Sequence, residues 1–136
     1  MYQLGANAVL LRNVSDAAGT LVRDVNVQGD GDQLLGMCCS EFGRRVAEIA
    51  SDGTGHGAAD PVFFADNGAS DGVVGGHPRL DGLQTGDLKS LFDFRQVCAA
   101  TLQRWLEFDI PSVLGVAYGP VALFANSWSS QDAAEP

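Results

Sequence analysis

The chain has 136 residues, of which 46% are hydrophobic and 18% are charged, and this balance excludes a wholly disordered protein. Seventeen acidic residues face eight Lys and Arg, so the formal net charge is −9, and the basic surface that nucleic acids and anionic membranes attract is missing. No stretch approaches the roughly 20 apolar residues of a membrane span, and three cysteines make no disulfide framework.

The first predicted element is a helix over about 6–26, because apolar residues recur there at steps of three and four. These residues are Leu10, Val14, Ala18, Leu21 or Val22, and Val25. The run of Gly and Asp over 28–32 breaks the helix.

Two apolar runs, at 33–39 and 61–65, predict strands that are buried on both faces, as in a parallel sheet. Cys38 and Cys39 lie in the first run, so we expect them to be buried thiols. The polar, Gly-rich segment 40–60 predicts a long loop after the C-terminal end of a strand. Open α/β sheets place their ligands at this position.

The second half of the chain predicts a surface excursion over 66–90, a helix over about 93–107 and a short strand over 113–118. Asp93 is the expected N-cap of the helix. The helix carries an apolar stripe, and we expect three of its members in the core: Phe94, Trp105 and Leu106.

The order of these elements predicts an α/β fold, a partial doubly wound and mostly parallel sheet flanked by helices. We expect a single domain over 1–126 and a flexible acidic tail over 127–136.

Several short sequence motifs, taken in order, resemble those of one protein family. They are Ser-Glu-Phe-Gly-Arg-Arg-Val-Ala-Glu (40–48), Gly-Thr-Gly-His-Gly-Ala-Ala-Asp-Pro-Val-Phe (53–63), Gly-Gly-His-Pro (75–78), Gly-Asp-Leu-Lys (86–89), Asp-Phe-Arg-Gln-Val (93–97), Trp-Leu (105–106), Val-Leu-Gly (113–115) and Leu-Phe (123–124). Their order and spacing resemble the C-terminal segment of the bacterial "domain of unknown function 1501" family. That family is similar to sulfatases and to the alkaline phosphatase superfamily.

The resemblance implies an alkaline-phosphatase-like fold and an ancestry in metal-dependent hydrolysis of phosphate or sulfate esters. Such enzymes use two metal ions to clamp the attacking and leaving oxygens. The resemblance also implies that the nucleophile and an early metal-binding Asp belong to an N-terminal half outside this chain. The catalytic residues are therefore unknown, and we expect no turnover by the chain alone.

The resemblance implies a divalent metal, Zn, Mn, Ca or Mg, at Glu41 and His56. Glu41-Phe42 stands where the wider superfamily has an Asp-His metal pair, and a Glu oxygen can ligate a hard cation. His56 lies in Gly-Thr-Gly-His-Gly, where the family pattern resembles Gly-Thr-Asp-His-Gly. The alternatives are a Glu41 carboxylate that caps a turn or pairs with Arg44, and a His56 without a ligand, because Gly55 replaces the Asp.

Arg44 and Arg45 are the predicted substrate-binding residues, since Arg can grip phosphate or sulfate oxygens with two hydrogen bonds. Their alternative role is a pair of salt bridges in an acidic protein. His77, beside a proline, is expected to be a turn residue. Asp93 and Arg95 are expected to cap and pair within the second helix.

Two functions follow from the sequence. The first is a truncated or diverged hydrolase-like protein, inactive alone, with a small anionic ester as substrate if active and an N-terminal complementing half as partner. The second is a non-catalytic α/β module that packs against a partner chain or against itself as a homo-oligomer. A third hypothesis is that the chain is not stable alone. The visible N-terminus predicts a cytoplasmic protein, and the resemblance implies export to the periplasm if a signal precedes it.

Overall fold

The computed structural model describes residues 3–50, 53–66 and 72–124. The helices are α1 (Gln3–Gln28), α2 (Phe94–Arg104) and α3 (Ile110–Leu114), and a 3₁₀ turn covers Gly31–Gln33. The strands are β1 (Gly36–Cys38), β2 (Gly43–Ile49), β3 (Gly53–Gly57) and β4 (Phe63–Ala65).

The chain divides into two compact units, one of residues 1–67 with 77–90 and one of residues 68–76 with 91–136. The first unit contains α1 and all four strands, and the second contains α2 and α3. The predicted single domain over 1–126 stays a prediction, and the predicted tail lies outside the described residues.

The predicted parallel, doubly wound sheet is wrong. Within the described ranges the strands form two separate antiparallel pairs, β1 with β4 and β2 with β3. β1 and β4 run in register from Gly36 opposite Ala65 to Cys38 opposite Phe63. A parallel pair needs a crossover connection, usually a helix, but the chain passes from β1 to β4 through the β2–β3 pair instead. The apolar runs therefore predicted the strands but not their direction.

The segment predicted to be a long loop over 40–60 contains β2 and β3. Gly43 lies opposite Gly57 and Ile49 lies opposite Gly53, with a bulge in β2 between Arg44 and Glu48. A Cβ on Gly43 would lie 1.7 Å from the carbonyl oxygen of Ala59, so only glycine fits there. The many glycines of the segment thus allow close backbone approach within a hairpin, which is why they resemble a loop in the sequence.

α1 confirms the helix predicted over about 6–26 and extends it to Gln28. It ends at Gly29, whose φ of 89° is the left-handed conformation that a helix C-terminus favours. The Gly29 N–H donates to the carbonyl of Asn26 at 3.1 Å, and the Asp30 N–H donates to that of Val25 at 3.1 Å. None of the residues 5–28 is buried, although α1 contacts β4.

α2 begins with the N-cap that the sequence predicts. The Asp93 Oδ1 accepts the Arg95 N–H at 2.9 Å, and the Gln96 Oε1 accepts the Asp93 N–H at 3.1 Å, which completes a capping box. The Arg95 Nε also donates to Asp93 Oδ1 at 2.8 Å. The side chain of Arg95, followed by its backbone N–H, lowers the pKa of Asp93 to about 2. The predicted capping and pairing of Asp93 and Arg95 are confirmed.

The strand predicted over 113–118 is wrong, because Val113 and Leu114 belong to α3. Asp109 caps this helix, with its Oδ2 accepting the Ser112 N–H at 3.1 Å, and Pro111 lies in the first turn, where its missing N–H costs nothing. Gly115, with φ of 79°, ends the helix. An N-cap, a proline and a left-handed glycine over seven residues outweigh the β-branched composition.

The buried hydrophobic residues of the described part all lie in the second unit; they are Ala99, Ala100, Ile110 and Val121. Phe94 and Leu106 are exposed, Phe94 by 70%, so the prediction that they are core residues is wrong, and Trp105 is half-buried. Cys38 and Cys39 are also exposed rather than buried.

Candidate functional site

The β2–β3 hairpin brings two of the predicted site residues together. Arg44 on β2 lies directly opposite His56 on β3. The ring of Phe42 stacks on the His56 imidazole with 3.5 Å between ring centroids and 12° between their planes. The Arg44 guanidinium lies 5.1 Å from the centre of the Phe42 ring, within the range of a cation–π contact. We call these three residues the hairpin cluster.

Backbone contacts hold the hairpin cluster in place. Arg44 Nη1 donates to the carbonyl oxygen of Thr54 at 2.9 Å, across the two strands. Before Phe42, Ser40 Oγ donates to the Phe42 carbonyl at 2.9 Å and fixes the entry into β2. Stacking covers a face of the imidazole of His56 but not its ring nitrogens, which lie in the ring plane. The cluster therefore leaves the nitrogens of an exposed histidine and part of a guanidinium open to a ligand.

Arg45 binds a different part of the chain from Arg44. Its Nε donates to Asp87 Oδ1 at 3.0 Å and its Nη2 donates to the Thr85 carbonyl at 2.6 Å. Successive side chains on a strand point to opposite faces, and this alternation sends the two arginines to separate partners. Arg45 thus has the ion pair that was the alternative to its substrate role. The substrate role of Arg44 and Arg45 stays a prediction.

Glu41 is exposed in the connection between β1 and β2, and among the residues that the structure describes it neither caps a turn nor pairs with Arg44. Over the residues that the structure describes, no three His, Cys, Asp or Glu side chains converge to hold a metal ion. His56, predicted as a loop residue, is on β3. Two ligands at most would come from Glu41 and His56, so further ligands are needed for a two-metal centre.

The remaining polar candidates stay apart from the hairpin cluster. His77 is exposed in the segment 72–90, which has no helix or strand in its described residues apart from the bridge between Gln84 and Asp87. The Thr54 Oγ1 atom is buried and has no hydrogen-bond partner in the described structure. A buried hydroxyl without a partner costs free energy, so Thr54 is a destabilising feature next to the cluster.

Exposed apolar residues are a second feature of the described structure, separate from the hairpin cluster. On α1 the large exposed hydrophobic residues are Val9, Leu10, Leu11, Val14, Leu21 and Val27. In the second unit they include Leu91, Phe94, Phe108, Val113 and Val116. Periodicity identified the stripe of α1, but periodicity shows only that a helix has an apolar face and not that its own chain covers that face.

No known protein family, no curated protein and no solved structure matches this chain. Among the described residues no helix has the length and hydropathy to cross a lipid bilayer.

Proposed function

We propose that this chain is a non-catalytic packing module, which acts by contacting a protein surface through its exposed apolar residues. One observation carries the proposal. Over the described residues only four hydrophobic side chains are buried, and two of these are alanines, while large hydrophobic side chains on α1, β2, β4, α2 and α3 are exposed. Exposed apolar patches of this kind mark interaction sites in soluble proteins.

Energetics support the same proposal. Burial of apolar surface contributes roughly 25 cal/mol per Å², and it must offset about 1–2 kcal/mol of backbone entropy per ordered residue. Ala99, Ala100, Ile110 and Val121 bury little apolar area for a chain of 136 residues. A second protein surface that covers the exposed residues supplies the missing burial.

The charge of the chain narrows the class of partner. A net charge of −9 opposes nucleic acids and anionic lipid surfaces, and it keeps the free chain in solution while apolar residues are exposed. A protein partner is compatible with both the acidic charge and the exposed apolar residues.

Sedimentation velocity of the full-length chain over a wide concentration range tests the proposal. We expect association that increases with concentration and is reversible on dilution, together with a helical far-UV circular dichroism spectrum. A folded chain that stays strictly monomeric at the highest concentration, and that does not bind an apolar dye, would contradict the packing module.

A second proposal keeps the chemistry that the family resemblance implies, metal-dependent hydrolysis of a phosphate or sulfate ester in concert with a complementing half. The β2–β3 hairpin favours this second proposal, because it places Arg44 opposite His56. Metal content per chain, measured for the wild type and for His56→Ala after chelator-free exchange, tests this proposal. Near-stoichiometric metal that is lost in His56→Ala supports it, and a folded wild type without metal counts against it.

A further inference from the structure

Residues His77–Ser90 form a segment that depends on side-chain contacts for its place in the fold. They belong to the first compact unit, although the residues before and after them in the chain, 68–76 and 91–136, belong to the second. The segment has no helix or strand, and its backbone forms a bridge between Gln84 and Asp87. We call His77–Ser90 the strap.

Apolar packing contributes little to holding the strap. No residue of the strap is buried. Of its three leucines, Leu80 is 69% exposed and Leu83 is 36% exposed, and only Leu88 is half-buried. Segments with few buried apolar contacts open locally at a lower free energy than the whole fold. The attachment of the strap to its unit therefore depends on polar contacts.

Two polar anchors connect the strap to the rest of its unit within the described part of the chain. Arg45 reaches out from β2, and its Nε donates to Asp87 Oδ1 at 3.0 Å while its Nη2 donates to the Thr85 carbonyl at 2.6 Å. The second anchor is Ser90 Oγ, which donates to the Ala58 carbonyl at 3.4 Å. This distance is long for a hydrogen bond between oxygens, so Arg45 is the main anchor.

Two glycines make room for the side chain of Arg45. Gly55 on β3 lies opposite the bulge of β2, and a Cβ on Gly55 would lie 3.4 Å from Arg45 Cδ. A Cβ on Gly86 would lie only 3.0 Å from Arg45 Nη2, and Gly86 has a φ of 86°, which residues with a side chain rarely adopt. The arginine thus crosses the hairpin over Gly55 and ends against the turn of the strap at Gly86.

We propose that Arg45 is a latch, and that the strap detaches from the β2–β3 hairpin as one piece when the contact of Arg45 with Asp87 is weakened. The two side chains are 43% and 23% exposed, so dissolved ions screen their attraction. The strap is therefore sensitive to ionic strength, and it is open more often in high salt than in low salt. A pair of this exposure changes the ratio of open to closed chains by about fivefold at most.

The sequence provides a probe for this opening. Lys89 is the one lysine among the 136 residues, and it lies on the strap between Asp87 and Ser90. A lysine-specific endoprotease therefore cuts the chain at a single peptide bond, between Lys89 and Ser90. Because a protease needs several residues around the bond to be detached, the rate of cutting follows the open fraction when closing is fast.

Cleavage of three full-length proteins tests the latch: the wild type, Asp87→Asn and Asp81→Asn. Asp81→Asn is the matched control, because it removes the same charge from the same strap, and Asp81 pairs with Arg79 rather than with the hairpin. In low salt we expect Asp87→Asn to be cut about fivefold faster than the wild type and Asp81→Asn at the rate of the wild type.

Salt should act on the wild type alone. Rates are divided by that of an unstructured peptide with the strap sequence, which corrects for the effect of salt on the protease. We then expect high salt to speed the cleavage of the wild type towards that of Asp87→Asn and to leave Asp87→Asn unchanged. Equal rates for wild type and Asp87→Asn in low salt, or equal acceleration in both Asp variants, would overturn the latch.

A double variant tests whether the two side chains act through one contact. If they do, Arg45→Gln with Asp87→Asn is cut no faster than Arg45→Gln alone. Rates that multiply in the double variant would mean two independent effects and no latch. The acceleration should also be present without urea, since local opening exposes little surface. Cleavage that in every variant follows global unfolding in urea would show that the strap does not open by itself.

Discussion

The β2–β3 hairpin and α1 belong to the same compact unit. Side chains of the hairpin have partners elsewhere in the chain, whereas many side chains of α1 are exposed. In the hairpin, Arg44 donates to Thr54, Arg45 pairs with Asp87, and the backbone of Gly43 fits against Ala59. Along α1 the side chains of Thr20 and Arg23 bond within the helix, while six large apolar side chains are exposed: Val9, Leu10, Leu11, Val14, Leu21 and Val27.

The hairpin is therefore held by contacts within the chain, whereas the exposed apolar residues of α1 are available for contact with another protein. Charged and polar groups of the hairpin find partners up to 42 positions away in the chain, so the hairpin is held by its own sequence. The apolar face of α1 has no equivalent cover in the described structure. Stability of the hairpin should therefore depend on substitutions within it, and stability of α1 should depend on concentration.

The largest effect is expected from Gly43→Ala. A Cβ at this position would lie 1.7 Å from the Ala59 carbonyl oxygen and 2.4 Å from its carbon, so the backbone must move. We expect a loss of roughly 3 kcal/mol or more in the free energy of unfolding, measured by urea denaturation. Gly53→Ala is the matched control in the same hairpin, because its Cβ would meet nothing within 4 Å. Equal unfolding free energies for the two variants would contradict the close contact between Gly43 and Ala59.

A smaller effect of opposite sign is expected in α1. Gly19 is inside the helix and a Cβ there would meet nothing within 4 Å, so Gly19→Ala should stabilise α1 by about 0.5–1 kcal/mol. Gly29→Ala should destabilise it, because φ at Gly29 is 89°. Thermal melts followed at 222 nm check both. A stabilised Gly29→Ala would show that the helix does not end as described.

The Arg45–Asp87 pair should contribute less still. Its side chains are 43% and 23% exposed, and partly exposed ion pairs contribute about 0.2–1 kcal/mol. Asp87→Asn should lower the unfolding free energy by that amount in low salt, and the difference should shrink in high salt because screening weakens the pair. Urea denaturation at two ionic strengths measures it, and an effect that does not change with salt would point to packing rather than charge.

The smallest effect is expected at the partly exposed cap of α2. Arg95 lowers the pKa of Asp93 to about 2, below the ordinary value of about 3.9 for an unfolded chain. The carboxylate thus stabilises the fold above about pH 4, and this contribution is lost as the pH falls from about 4 through about 2. Asp93→Asn keeps a capping acceptor without the charge. The melting temperatures of wild type and variant should therefore converge as the pH falls through this range, and a constant difference would contradict the ion pair.

Two of the helices, α1 and α2, were predictable because their signals are local, whereas α3 was mistaken for a strand. Apolar spacing identified α1, and Asp93 before an apolar stripe identified the start of α2. Two apolar runs also identified β1 and β4. The pairing of strands was not predictable in this way, since a short apolar run is compatible with a parallel or an antiparallel neighbour.

The hairpin had a signal that the sequence reasoning passed over. The dipeptide Asp52-Gly53 is typical of hairpin turns as a sequence signal, and its Gly53 is the first residue of β3. The glycines of 53–57 and the family resemblance favoured a ligand-binding loop instead. The contact of Phe42 with His56 could not be predicted at all, because it depends on the strand register and on a bulge.

Amide hydrogen exchange of the full-length chain at low and high concentration tests the central claim most directly, that α1 is covered by another protein surface. The account predicts that residues 7–17 exchange rapidly in the dilute chain and become protected at high concentration, while β2 and β3 are protected equally at both. Protection of residues 7–17 that is the same at both concentrations, whether high or absent, would contradict it.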